Sequence, residues 1–260
     1  MDQRPVGFFD SGLGGASVLR SALRLLPDEN YIYYGDNANA PYGDRSEDDI
    51  TRLTLTAAKR LVDAGAKTVV IACNTATATC VTALRERLSM PVISVEPAIK
   101  PACAAPGRGK VLMLATTATT RLTRYQALKA RMPDPARVID VACPGIADRV
   151  EAGIFADDGY DDLLATCLGP YEGLTVDGIV LGCTHYPFIR GAIARYARAH
   201  LRGACTFYDG SDATAAHLLD VLTASGLRAG GGSGAVEFLT SGDPARFTPL
   251  FRMLLHRTEP

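Results

Sequence analysis

Two cysteines in similar surroundings are the residues of this chain best equipped to do chemistry. Residues 69–75 (VVIACNT) and 178–185 (GIVLGCTH) each carry an apolar, strand-like run, a small residue, a cysteine (Cys73 or Cys183), and then polar residues suited to begin a helix. A thiol at a helix start lies beside backbone N–H groups that lack intrahelical partners and beside the positive end of the helix dipole. Both favour thiolate. From an ordinary thiol pKa of about 8.5, modest stabilisation gives useful thiolate near neutral pH. Taken singly, each cysteine reads more readily as a small buried hydrophobe, and Cys80, Cys103, Cys143, Cys167 and Cys205 are read that way. A matched pair suits acid–base chemistry at one carbon, where one group removes a proton and its counterpart delivers one to the opposite face.

Three further segments could serve such a site. Residues 9–15 (FDSGLGG) join a strand end to a helix start, where glycines permit a tight turn and the helix N-terminus suits a carboxylate or phosphate. Gly12-x-Gly14 with Asp36 further on also resembles a dinucleotide-binding fingerprint, although the third glycine falls at Ser17 and Asp10–Ser11 is polar where that motif stays apolar. Pro41-Tyr42-Gly43 is a turn ahead of a helix that starts near Ser46. His185, two residues past Cys183, is placed to exchange protons or steady a thiolate. Cys183 with His185 could hold zinc, but no second ligand pair has metal-site spacing, so no metal is expected.

The elements that must position these residues alternate along the whole chain. Strands are expected over residues 5–9, 31–34, 68–72, 92–95, 110–115, 138–141, 178–181, 205–208 and 236–239, with helices between most of them. Residues 75–88 place Ala78, Val81, Leu84 and Leu88 along one helical face, and Glu47, Asp48 and Asp49 fill the first turn of the helix after Ser46. Such alternation predicts an α/β fold with parallel sheets covered on both faces, and functional residues at the carboxyl ends of the strands. A Pro/Ala-rich stretch over 96–108 marks a candidate boundary, and GGGSG at 230–234 a surface loop.

Composition narrows the partners. The chain has 260 residues and a net charge of −1, which gives no sign of nucleic acid or an anionic membrane as principal partner. Its first residues lack a signal-peptide apolar core, and no stretch approaches the ~18 consecutive apolar residues of a membrane span, so a cytoplasmic location is expected. Seven scattered cysteines without a C-x-x-C pair argue for free, mostly buried thiols. Five lysines are present and none lies in a strand-end motif, which disfavours a pyridoxal phosphate Schiff base.

GFFDSGLGG, YYGDNANAPYGDRS, VIACNTATA and GCTHYPF resemble, in order and spacing, the signature segments of bacterial glutamate racemases, and ISVEPAIKPA and ACPGIADRVE look like two more. The resemblance covers nearly the whole chain. It implies two similar α/β domains with mainly parallel sheets facing each other across a cleft, the first formed by residues 1–97 plus 208–260 and the second by 98–207. It implies cofactor-free interconversion of L- and D-glutamate, with Cys73 and Cys183 as the acid–base pair, Cys73 acting on D-glutamate and Cys183 on L-glutamate. Substrate contacts carry over to Asp10, Ser11, Tyr42, Gly43, Asn74, Thr75, Thr184 and His185, with Thr116 and Thr119 as further contacts and Asp36 and Glu151 as nearby acids. Asp10 beside Cys73 would oppose thiolate formation, so its expected partner is the substrate ammonium. Family membership further implies supply of D-glutamate for peptidoglycan, and it leaves room for a homodimer. Aspartate racemase and a non-catalytic amino-acid sensor on the same fold are the neighbouring readings. GCTHYPF favours glutamate over the first, and retention of both cysteines argues against the second.

Overall fold

The computed structural model describes residues 1–257. Its strands form two separate sheets. The first contains β1 (Val6–Asp10), β2 (Tyr31–Gly35), β3 (Thr68–Ile71), β4 (Val92–Ser94) and, from far along the chain, β9 (Val236–Thr240), in the order β4-β3-β1-β2-β9. The second contains β5 (Lys110–Ala115), β6 (Val138–Ala142), β7 (Val176–Leu181) and β8 (Thr206–Tyr208), in the order β6-β5-β7-β8. Every pairing between these strands is parallel. Parallel pairs need crossover helices on the sheet faces, which explains the near-continuous apolar runs in β1, β3 and β5. Phe8, Val70, Leu112 and Leu114 are fully buried, each contributing about 1.5–3 kcal/mol relative to exposure. The two-domain α/β class expected from the sequence is the one observed.

Strand existence follows the apolar runs, and the ends differ by a residue or two for local reasons. β8 begins at Thr206 because Cys205 has φ +46°, a left-handed conformation that cannot continue a strand. The helix after Ser46 runs Glu47–Asp63, and the Ser46 hydroxyl accepts the Asp49 N–H at 3.2 Å. That hydroxyl caps the helix, and Glu47, Asp48 and Asp49 oppose the dipole from the first turn. Its apolar stripe of Ile50, Leu53, Ala57 and Leu61 packs inward.

Register brings the carboxyl ends of the strands level. Asp10 pairs with Gly35 and Phe9 with Ile71, so Asp10, Asp36 and Cys73 share one edge of the first sheet. In the second sheet Ala115 pairs with Ala142 and Leu114 with Leu181, so Thr116, Cys143 and Cys183 share an edge. Those two edges face one another.

Candidate active site

A pocket with about 290 Å³ of open space lies between the facing edges. Ser11, Tyr42, Gly43, Cys73, Asn74 and Thr75 line it from the first half, and Thr116, Cys183, Thr184 and His185 from the second. Pro41, Ala147 and Gly182 complete the wall. Of the two cysteines and eight principal contacts expected from the sequence, nine line this pocket and the tenth, Asp10, sits in direct contact with one of them; of the two further contacts, Thr116 lines it and Thr119 does not. Asp10 is fully buried, accepting from Gly12 N–H at 2.8 Å and from the Thr184 hydroxyl at 3.0 Å.

Cys73 lies just past the end of β3 and is itself the N-cap of the helix Asn74–Arg87, its sulfur accepting the Ala76 N–H at 3.4 Å. Asn74 and Thr75, read from sequence as caps, are the first helical residues instead. The thiol also meets the Ser11 hydroxyl at 3.6 Å. The expected depression of its pKa does not occur. Burial, and then the charge of Asp10, push the Cys73 thiol up to about 12, and the Ala76 N–H and Ser11 offset only part of this. A helix N-terminus supplies partial charges, whereas removal from water penalises the whole thiolate charge, and here the second effect is larger.

Cys183 departs from the matched context. After β7 the chain makes a short 3₁₀ turn over Tyr186–Ile189, and the α-helix begins only at Arg190. Cys183, unlike Cys73, therefore does not cap the α-helix that follows it in the chain. Its neighbour is His185, whose Nδ1 lies 3.5 Å from Sγ, while His185 Nε2 lies 2.7 Å from Glu151 Oε1. Burial alone would push the imidazole down; the contacts with Cys183 and Glu151 prevail and hold it well above the ordinary histidine value. Burial would likewise raise the Glu151 carboxyl, but His185, the Leu13 N–H and the Asn37 amide hold it below the usual range. Thr184 is not a helix cap; its hydroxyl donates across the cleft to Asp10.

Glu151 joins the two halves. Its Oε1 also accepts the Leu13 N–H at 2.5 Å, and its Oε2 accepts from Asn37 Nδ2 at 2.9 Å. In the loop between β1 and the helix Ala16–Leu25, a region read as a seat for a substrate carboxylate or phosphate, the Gly12 and Leu13 N–H groups are therefore taken by the protein's own carboxylates, Asp10 and Glu151. The glycines of that loop serve the same closeness. A Cβ on Gly12 would lie 2.2 Å from Glu151 Oε1, and one on Gly14 would lie 2.5 Å from His185 Nδ1 and Thr184 Oγ1.

Capacity for a polar ligand remains elsewhere. Asn74 Oδ1 is buried without a hydrogen-bond partner, the kind of orphan that a ligand accounts for. Thr75, Thr116 and Thr119 form a triangle of hydroxyls 3.0–3.1 Å apart that spans the two halves. Tyr42 donates its hydroxyl to Asp36 at 2.6 Å, so it offers the pocket its ring and the free N–H end of the 3₁₀ turn Tyr42–Asp44. No lysine lines the pocket. Among the described residues no three His, Cys, Asp or Glu side chains gather as a metal site, and no helix is long and apolar enough to cross a membrane. All seven cysteines are free; Cys103 and Cys205 are half-buried and the others buried. Asn37 was missed by sequence reasoning, although it directly follows Asp36 at a strand's carboxyl end, which is the signal that could have found it.

The family model for Asp/Glu/Hydantoin racemase matches residues 14–218. A glutamate racemase of Herpetosiphon aurantiacus is 41% identical over 255 residues, covering 98% of this chain and 99% of its own. The fold is similar to that of the Francisella tularensis glutamate racemase crystallised with D-glutamate (TM-score 0.84, 27% identity, 99% of this chain and 95% of that one). It is also similar to the Escherichia coli glutamate racemase crystallised with L-glutamate and the activator UDP-MurNAc-Ala (TM-score 0.80, 29% identity, 96% and 95%). Matched over most of its length in sequence and fold, the chain belongs to the Asp/Glu/Hydantoin racemase family and, within it, to the glutamate racemases, which are isomerases.

Proposed function

We propose that this protein interconverts L- and D-glutamate by passing protons between the α-carbon and two cysteines, Cys73 on one face and Cys183 on the other, without pyridoxal phosphate. The observation that carries the reading is that sulfurs from two different sheets open onto one pocket. For L-glutamate, Cys183 acts as thiolate with His185 as its cationic partner and takes the α-proton, while the Cys73 thiol donates to the opposite face. Cys73, pushed up to about 12, is held as the protonated donor this direction needs. For D-glutamate the roles reverse, and the substrate supplies what Cys73 lacks. An ammonium meeting Asp10 offsets the charge that disfavours the Cys73 thiolate.

Ser11, Asn74, Thr75, Thr184 and the Tyr42–Gly43 backbone hold the substrate's polar groups in this reading, with Thr116 and Thr119 at the side-chain carboxylate. Glu151 orients His185. The two domains would comprise residues 1–97 plus 208–260 and 98–207, moving as units about the cleft. The D-glutamate product would serve peptidoglycan synthesis in the cytoplasm.

The test is proton exchange in deuterated water with Cys73→Ala and Cys183→Ala. Each substitution is expected to abolish racemisation, a loss of at least about 10³-fold. Full activity surviving in either variant refutes the two-base mechanism.

A further inference from the structure

Asn37 does not line the pocket, yet its side chain ties the first sheet to the Cys183 side of the site. Its Nδ2 donates to Glu151 Oε2 at 2.9 Å, and its Oδ1 accepts from the Thr240 hydroxyl at 2.7 Å. The amide orientation follows from chemistry. A carboxylate only accepts, so the NH₂ must face Glu151, and the oxygen is left for Thr240. Both Asn37 and Glu151 are buried, at 8% exposure each, so this contact is poorly screened by water. Thr240 ends β9, at the edge of the first sheet, and its oxygen also receives the Gly242 N–H at 3.0 Å. Glu151 belongs to the second half and reaches His185 through its other oxygen. A continuous chain of hydrogen bonds thus runs from the end of β9 through Asn37 and Glu151 to His185 and the Cys183 sulfur. The Cys73 sulfur instead bonds with Ser11 and Ala76, neither of them part of that chain.

We propose that Asn37 is a positioning residue for one half of the reaction: seated on Thr240, it fixes the Glu151 carboxylate so that His185 is held against Cys183, and it leaves proton transfer at Cys73 untouched. The proposal rests on the two-cysteine reading of the reaction. Losing one hydrogen bond to a buried carboxylate, with the bonds from Leu13 and His185 retained, predicts a drop in kcat/KM of about tenfold rather than abolition.

Enantiomers have equal free energy, so any variant must show equal kcat/KM in the two directions, and the rate loss alone cannot reveal which cysteine is affected. Primary deuterium isotope effects can. With [2-²H]-L-glutamate the labelled bond breaks at Cys183, and with [2-²H]-D-glutamate it breaks at Cys73. Slowing the Cys183 step makes it more rate-limiting. In Asn37→Ala the isotope effect on kcat/KM is therefore expected to rise for the L-substrate and fall for the D-substrate. Asn37→Asp, which opposes two carboxylates, should shift both further, and Thr240→Val should shift both in the same sense by less.

Isotope effects that stay at wild-type values, or that move together, overturn the assignment of Asn37, as does wild-type kcat/KM in Asn37→Ala. Wild-type protein that fails to racemise glutamate, or Cys183→Ala that retains racemisation, overturns the underlying reading as well. Should circular dichroism show Asn37→Ala to be unfolded, Thr240→Val carries the same pair of isotope measurements, with the same outcomes deciding.

Discussion

Cys73 and Cys183 occupy equivalent positions at the carboxyl ends of parallel strands, and the protein surrounds them differently. Cys73 has a helix N-terminus, the Ser11 hydroxyl and, close by, the buried charge of Asp10. Cys183 caps no α-helix and has instead a histidine, backed by a carboxylate that is in turn held by Leu13 and Asn37. One thiol is held protonated; the other lies against a histidine whose pKa is held well above its ordinary value. On the two-cysteine reading proposed above, a symmetric reaction would begin from an asymmetric resting state, and the substrate's own charges would supply the balance in the direction that starts at Cys73.

Short of removing a cysteine, the greatest loss should come from removing that asymmetry at its source. Glu151→Gln deprives His185 of its anionic partner, and racemisation should fall about 10²-fold with KM changed far less, measured as initial rates in both directions. An unchanged kcat would mean that His185 works without its carboxylate. A smaller contrast is expected in thiol reactivity. At pH 7.5 iodoacetamide should alkylate Cys183 at least about tenfold faster than Cys73, followed by mass spectrometry of the two peptides. Cys73 alkylation should climb about tenfold per pH unit toward its pKa near 12. Equal rates would erase the distinction between the two thiols.

The most modest change concerns stability. Burial raises the Asp10 pKa above its unfolded value, so the folded state binds more protons than the unfolded one in that interval, and this residue's contribution to stability falls as pH rises through it. Asp10→Asn should therefore raise the thermal midpoint by a few degrees at pH 7–8, roughly 2–4 °C per kcal/mol gained. That gain should shrink as the pH falls and Asp10 takes up its proton in the wild type too. A destabilised Asp10→Asn at neutral pH would show that the carboxylate's bonds to Gly12 and Thr184 outweigh its burial.

Much of this architecture is legible in the chain. The apolar runs mark all nine strands among the described residues, most plainly β1, β2 and β3, where every residue is buried and a strand covered on both faces tolerates little else. Placing Cys73, Cys183, Asp10 and Asp36 at strand ends followed directly, since alternating strands and helices put loops at one edge of each sheet. What the local pattern misjudged was the helix at Cys183. A cysteine, polar residues and a proline read as a helix start, yet Tyr186 and Pro187 open a 3₁₀ turn.

The contacts that give each thiol its character lie beyond any local pattern. Asn37 and Glu151 are 114 residues apart, and Glu151 and His185 are 34 apart. Gly12 and Gly14 read as turn residues until side chains from the other half are seen to press against them. The elements, and the groups that stand at the sheet edges, follow from the order of residues alone, because backbone propensity and apolar spacing act over a few positions. The protonation preferences of those groups were settled by the folded arrangement. Desolvation and charge pairing depend on what the fold brings within a few ångströms from anywhere in the chain.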